Sequence, residues 1–72
     1  MIEYKGIFET VMPFGYGCGR LILIRNKTGK KIFPVHWKQL TKQRLEKNIE
    51  IGDKIKIEYE DMKNFKIEEV KK

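Results

Sequence analysis

Apolar and polar positions alternate most cleanly between Lys54 and Glu60. Ile55, Ile57 and Tyr59 fall on one side, and Lys54, Lys56, Glu58 and Glu60 on the other. A two-residue period of this kind is that of a strand with one buried face. Phe65 to Val70 repeats it more briefly, after a turn at Asp61 to Asn64. At the other end, Ile2 to Met12 reads as a strand with Ile2, Tyr4, Phe8 and Met12 on one face and Ile7 and Val11 on the other. Gly6 interrupts it, as glycines do at a bulge or a sharp coil. Pro13, which cannot donate to a ladder, is expected to end it. Phe14 to Gly19 is a loop in which glycines alternate with Phe14, Tyr16 and Cys18. Arg20 to Arg25 is a short apolar strand. It leads through Asn26-Lys27-Thr28-Gly29-Lys30, with Gly29 supplying a positive φ, into a returning strand from Lys31 to Trp37. Pro34 within that strand predicts an edge or a bulge. Lys38 to Lys47 has no Gly or Pro and is rich in helix formers, with a narrow apolar stripe of Trp37, Leu40, Thr41, Arg44 and Leu45. Gly52-Asp53 is a turn signal. The last two residues, Lys71 and Lys72, are expected to fray.

The predicted order is three strands, a helix and two strands. That is the order of the oligonucleotide/oligosaccharide-binding (OB) barrel: mainly β, five-stranded, with a short helix between strands 3 and 4. An SH3-like barrel is the rival, but it carries only a short 3₁₀ turn late in the chain, so the ten-residue helical segment favours OB. With 72 residues, one domain spanning 1–72 is expected. A chain this short buries little apolar area. Cys18 is the lone cysteine, so no intrachain disulfide forms, and Cys18 with His36 makes too few ligands for a structural zinc site. No cofactor or metal is expected. Closing the sheet into a barrel would protect its edges economically. The longest apolar run, Leu21 to Ile24, is far short of a membrane span, and the N-terminus shows no secretory signal. A lone thiol suits a reducing compartment. A cytoplasmic protein with no membrane partner is the expectation, with Cys18 read as a small buried hydrophobe.

Charge changes the picture. The net charge is +6, but its distribution is the informative part. From Thr10 to Leu45 stand Arg20, Arg25, Lys27, Lys30, Lys31, Lys38, Lys42 and Arg44, with no Asp or Glu among them; from Glu46 onward the signs nearly balance. A block of one sign attracts polyanions. Single-stranded nucleic acid binds where cations track phosphates and flat rings stack on bases. The candidate rings are Phe14, Tyr16, His36 and Trp37, and the candidate cations are Arg20, Arg25, Lys27, Lys30, Lys31 and Lys38. A hairpin of strands 2 and 3 would bring both groups to one side. Each residue also has a plainer reading. Trp37 opens the helix stripe and would serve the core. The three hairpin-tip lysines would be ordinary solvation, and His36 an inert surface histidine. The glycine cluster is neither a P-loop nor a dinucleotide fingerprint, since no Gly-Lys-Ser/Thr and no helix follow it.

Four short segments carry a family resemblance. Lys5-Gly6-Ile7-Phe8 resembles the opening of the first cold-shock strand, and Gly15-Tyr16-Gly17 the core of the first RNA-binding motif. Val35-His36 resembles the end of the second motif, where a histidine stacks on a base. Gly52-Asp53-Lys54-Ile55 resembles the usual start of the fourth OB strand. The chain is thus similar to a diverged cold-shock domain or another small OB protein, which implies an OB fold that binds nucleic acid. Thr10, Val11, Cys18 and Pro34 depart from the cold-shock pattern.

Catalysis has little to draw on: one His, one Cys and no convincing paired carboxylates. Two readings remain. The first is a non-catalytic binder of single-stranded nucleic acid, RNA ahead of DNA, with little sequence preference. The second is a protein-interaction module or inhibitor docking on an acidic or nucleic-acid-processing partner.

Overall fold

Five strands and one helix form in the computed structural model, which describes residues 1–15 and 17–70. Tyr16, a candidate ring, and Lys71 and Lys72, expected to fray, lie outside the described residues. The elements are β1 (Ile2–Phe14), β2 (Gly19–Asn26), β3 (Gly29–His36), α1 (Trp37–Lys47), β4 (Lys54–Tyr59) and β5 (Phe65–Glu69). The fold is mainly β, with the helix between β3 and β4 as the sequence predicts. All strands join one antiparallel sheet in the order β3-β2-β1-β4-β5. The two edges, β3 and β5, are not paired with each other, so the sheet is open where the sequence predicted a closed barrel.

The buried core takes alternate positions from every strand: Phe8, Ile22 and Ile24, Phe33 and Val35, Ile55 and Ile57, and Ile67, with Leu40 and Ile49 closing it. β1 departs from the predicted pattern in three ways. Its register slips between Phe8 and Thr10, so Glu9 is the extra residue of a bulge. A single extra residue reverses which side chains face inward. Tyr4 and Phe8 face the core before Glu9, and Val11 packs against it afterwards, in place of Met12. The bulge is therefore at Glu9 and not at Gly6. Gly6 serves a close approach instead: a Cβ there would stand 2.5 Å from the Arg25 carbonyl oxygen. Finally, β1 runs through Pro13, which sits opposite Arg20. Beyond Ile7 the strand pairs with β2 alone, so one side of its backbone needs no partner and a proline is tolerated.

Side chains and loops protect the open edges. On the β5 side, Gln43 of α1 acts as a short surrogate strand. Its Nε2 donates to the Phe65 carbonyl (2.9 Å) and its Oε1 accepts from the Ile67 N–H (2.8 Å), while Lys47 Nζ donates to the Ile67 carbonyl. On the β3 side, the Tyr59 hydroxyl donates to the Pro34 carbonyl (2.6 Å), and the His36 N–H donates to the Met62 carbonyl (2.9 Å). Pro34 thus turns its carbonyl, and the place of its missing N–H, to the open side, as predicted for an edge proline. Burial, reinforced by the Asp61 charge, pushes the Tyr59 phenol upward and keeps it a donor. The Tyr59 ring stands 5.2 Å from Phe33, and Phe33 stands 6.0 Å from Tyr4. Aromatic packing therefore ties β1, β3 and β4 together across the core.

The helix begins one residue earlier than predicted. His36 is its N-cap, with Nδ1 accepting from the Lys38 N–H (3.3 Å). Asn48, at φ 56°, ends it in the left-handed region. Leu40 is its buried anchor, whereas Leu45 of the predicted stripe is 78% exposed. Arg44 lays its guanidinium 5.3 Å from the Phe8 ring centre, doing part of what an apolar side chain would do there.

Candidate nucleic-acid interface

The ladder β1–β2–β3 sets out its outward-facing side chains in rows. At the glycine-rich end, Phe14, Gly19 and His36 stand in one row. Next come Met12, Leu21 and Pro34, then Thr10, Leu23 and Ile32. At the hairpin end, Arg25 stands beside Lys30. Six residues separate Gly19 from Arg25, so the face is roughly 20 Å long at about 3.3 Å per residue.

The ring end is shaped by Gly19. A Cβ at this position would meet the Phe14 carbonyl oxygen and stand 3.0 Å from an edge carbon of the Phe14 ring. The absence of a side chain lets that ring lie over the backbone beside His36, and it remains 44% exposed. Trp37 follows directly, its backbone N–H donating to the Cys18 carbonyl (2.8 Å). It is 37% exposed at the start of α1, so it is not the core residue that the helix stripe suggested. Lys38 Nζ stands 5.9 Å from the Trp37 ring centre. Phe14, His36, Trp37 and Lys38 thus lie at the same end of the sheet. Cys18, read from sequence as buried, is exposed in this loop.

The predicted cations divide into three groups. Arg20 is occupied within its own loop, donating to the carbonyls of Gly17 and Gly19 (both 2.7 Å). Arg25 and Lys30 share the carboxylate of Glu9, at 2.6 Å and 3.3 Å. Partial burial works to raise the Glu9 carboxyl, but its bonds to Arg25 and Lys30 outweigh it and hold the group below its ordinary value. Lys27, Lys31 and Lys38 form no ion pair among the described residues. Lys31 leans the other way, placing Nζ 5.6 Å from the Tyr4 ring centre, and does not join the outward rows.

Sequence reasoning missed Glu9. It stands immediately before the acid-free stretch, and the β1–β2 pairing brings it to Arg25 and Lys30. The rows between the two ends were missed as well: Leu21, Leu23 and Ile32 make an apolar band, with Ile32 51% exposed. The alternation of Leu21 and Leu23 with Ile22 and Ile24 was its one available signal. No helix among the described residues is long and apolar enough to cross a membrane. Comparison with known protein families, curated proteins and solved structures gives no match for this chain.

Proposed function

We propose that the protein is a non-catalytic module that binds single-stranded nucleic acid, RNA ahead of DNA, along the outward face of β1–β2–β3. The observation that carries this reading is the Phe14–Gly19–His36 row: a ring laid over a bare backbone, next to His36, Trp37 and Lys38. Bases stack on such surfaces whatever their identity, which favours binding with little sequence preference. Arg25, Lys30 and Lys27 at the far end supply phosphate contacts, with one carboxylate against them. The sheet order supports an OB-type architecture, because it leaves as its two unpaired edges β3 and β5, the strands that would have to meet to close such a barrel. The resemblance of Lys5-Gly6-Ile7-Phe8 and Val35-His36 to cold-shock segments points the same way. An exposed Cys18 suits a reducing, cytoplasmic setting.

Titration with a fluorescent oligouridylate at low and high salt tests the proposal. Binding should weaken steeply as salt rises, because each phosphate contact releases counterions. No binding at low salt, or binding indifferent to salt, would overturn it.

The apolar band favours the second reading, a protein-docking module, because an exposed isoleucine beside Leu23 is better matched to a protein surface than to a phosphate chain. Ile32→Lys separates the two. It adds a cation to the face, so oligouridylate affinity should hold or rise, by about twofold to fivefold. A protein partner seated on the band would be lost.

A further inference from the structure

A cleft of about 450 Å³ opens on the outward side of the sheet, where the end of β2, the middle of β1 and the start of β4 converge. That size lies within the range of small-molecule sites, roughly 300–1,000 Å³. Four cations surround it: Lys5, Arg25, Lys27 and Lys54. Its apolar side chains are Ile7 and Val70, and no acid among the described residues lines it. The register explains the convergence, since Ile7 is paired with Arg25 on one side and Lys54 on the other. The Val70 N–H donates to the Lys54 carbonyl (2.8 Å), closing the cleft at the end of β5.

We infer that this cleft is a nucleotide site, with phosphate on the cations and a base against Ile7 and Val70. Arg25 is prepared for the first part. Glu9 takes its Nε at 2.6 Å, and no hydrogen bond among the described residues occupies its two terminal nitrogens. A guanidinium fixed in this way can present a fork to phosphate oxygens with little further loss of freedom. Glu9 is thus a positioning residue. The mixed character of the cleft distinguishes a nucleotide from a bare anion: inorganic phosphate would use the rim and leave the apolar wall wet. The site also has little with which to read a base edge. The Asn26 amide is already spent on the Lys5 carbonyl (2.8 Å) and on Thr28, so purines and pyrimidines are accepted alike. The inference stands on these observations and does not require the sheet-face reading to hold.

The test is an NMR titration with adenosine monophosphate, uridine monophosphate and inorganic phosphate at matched ionic strength. Both nucleotides should move the amides of Lys5, Ile7, Asn26, Lys54 and Val70 and saturate, with inorganic phosphate about tenfold weaker. Lys5→Glu and Lys54→Glu, both at exposed side chains, should each weaken the nucleotides about tenfold while the thermal melt is kept. Unmoved amides, inorganic phosphate acting as well as the nucleotides, or unchanged affinity in a folded Lys54→Glu protein would each overturn the inference. A 5′-phosphorylated tetrauridylate competing with the nucleotide would assign the cleft to a strand terminus; failure to compete would assign it to the free nucleotide. In the same titration made with the oligouridylate, shifts in the cleft with none along Phe14 to Leu23 would sink the sheet-face reading alone.

Discussion

Single carboxylates determine more here than the net charge does. Glu9 converts two of the predicted cations into a positioned pair, and Asp61 organises the β4–β5 turn. Asp61 Oδ1 accepts from the N–H groups of Lys63 and Asn64 (both 2.9 Å), and its carboxylate also takes the Asn64 side-chain amide. The Asn64 amide first, and then those backbone N–H groups, hold the Asp61 carboxyl below its ordinary value. Lys66 does the same for Glu68. The folded-state values thus lie below the unfolded ones. The stability these groups contribute is complete above the ordinary carboxylate range and is lost as pH falls through the depressed values. In Asp61→Asn the ionised acceptor is gone, so the variant should melt below the parent at pH 7. The gap should close as pH falls below the ordinary carboxylate range and the parent's own carboxyl protonates. A gap of the same size at pH 7 and pH 2 in thermal melts would show that Asp61 acts by shape and not by charge.

Among the elements, α1 departs furthest from its sequence reading, and the reason is physical. Amphipathic spacing assumes a helix laid on a core by an apolar stripe, yet this helix buries only Leu40 deeply. Its second attachment is polar, through Gln43 to the half-buried edge backbone of β5. Hydropathy gives a glutamine no reason to face inward, so that role could not be read from the chain. Gln43→Ala would leave a carbonyl and an N–H of the β5 edge unpartnered in a half-buried place. The expected cost is about 1–2 kcal/mol, measured as a lower urea midpoint. A midpoint within error of the parent would mean that water replaces the amide without penalty. Strands were more legible. The alternation from Lys54 to Glu60 gave β4 within one residue, since its side chains see one buried face throughout. β1 was misread after Glu9, because a bulge inverts the faces while leaving the composition unchanged.

For the whole molecule, the question is how many of its cations a polyanion would meet on one side. The outward face of β1–β2–β3, its hairpin turn and the start of α1 offer Arg25, Lys30, Lys27 and Lys38; Lys31 leans toward Tyr4 and Arg20 is bonded to its own loop. If three or four phosphates are contacted there, the logarithm of the oligouridylate affinity should fall with the logarithm of salt concentration at a slope of about −2 to −3. A slope of about −4 would mean that the strand also engages Lys5 and Lys54, continuing from the face into the cleft.

The sequence by itself determined the strands, the helix and their order, because each depends on local periodicity, turn residues and breakers. It also determined the acid-free block, which is a property of composition along the chain. Tertiary structure alone decided how the sheet protects its edges, which way each side of β1 faces after the bulge, and which charges meet. Those outcomes depend on contacts between residues far apart in the chain: Glu9 with Arg25, Gln43 with Phe65, Ile7 with Lys54. No local pattern encodes such pairings. The acid-free block from Thr10 to Leu45 therefore remains the candidate binding surface, but its charge is tempered by Glu9, which stands just outside it.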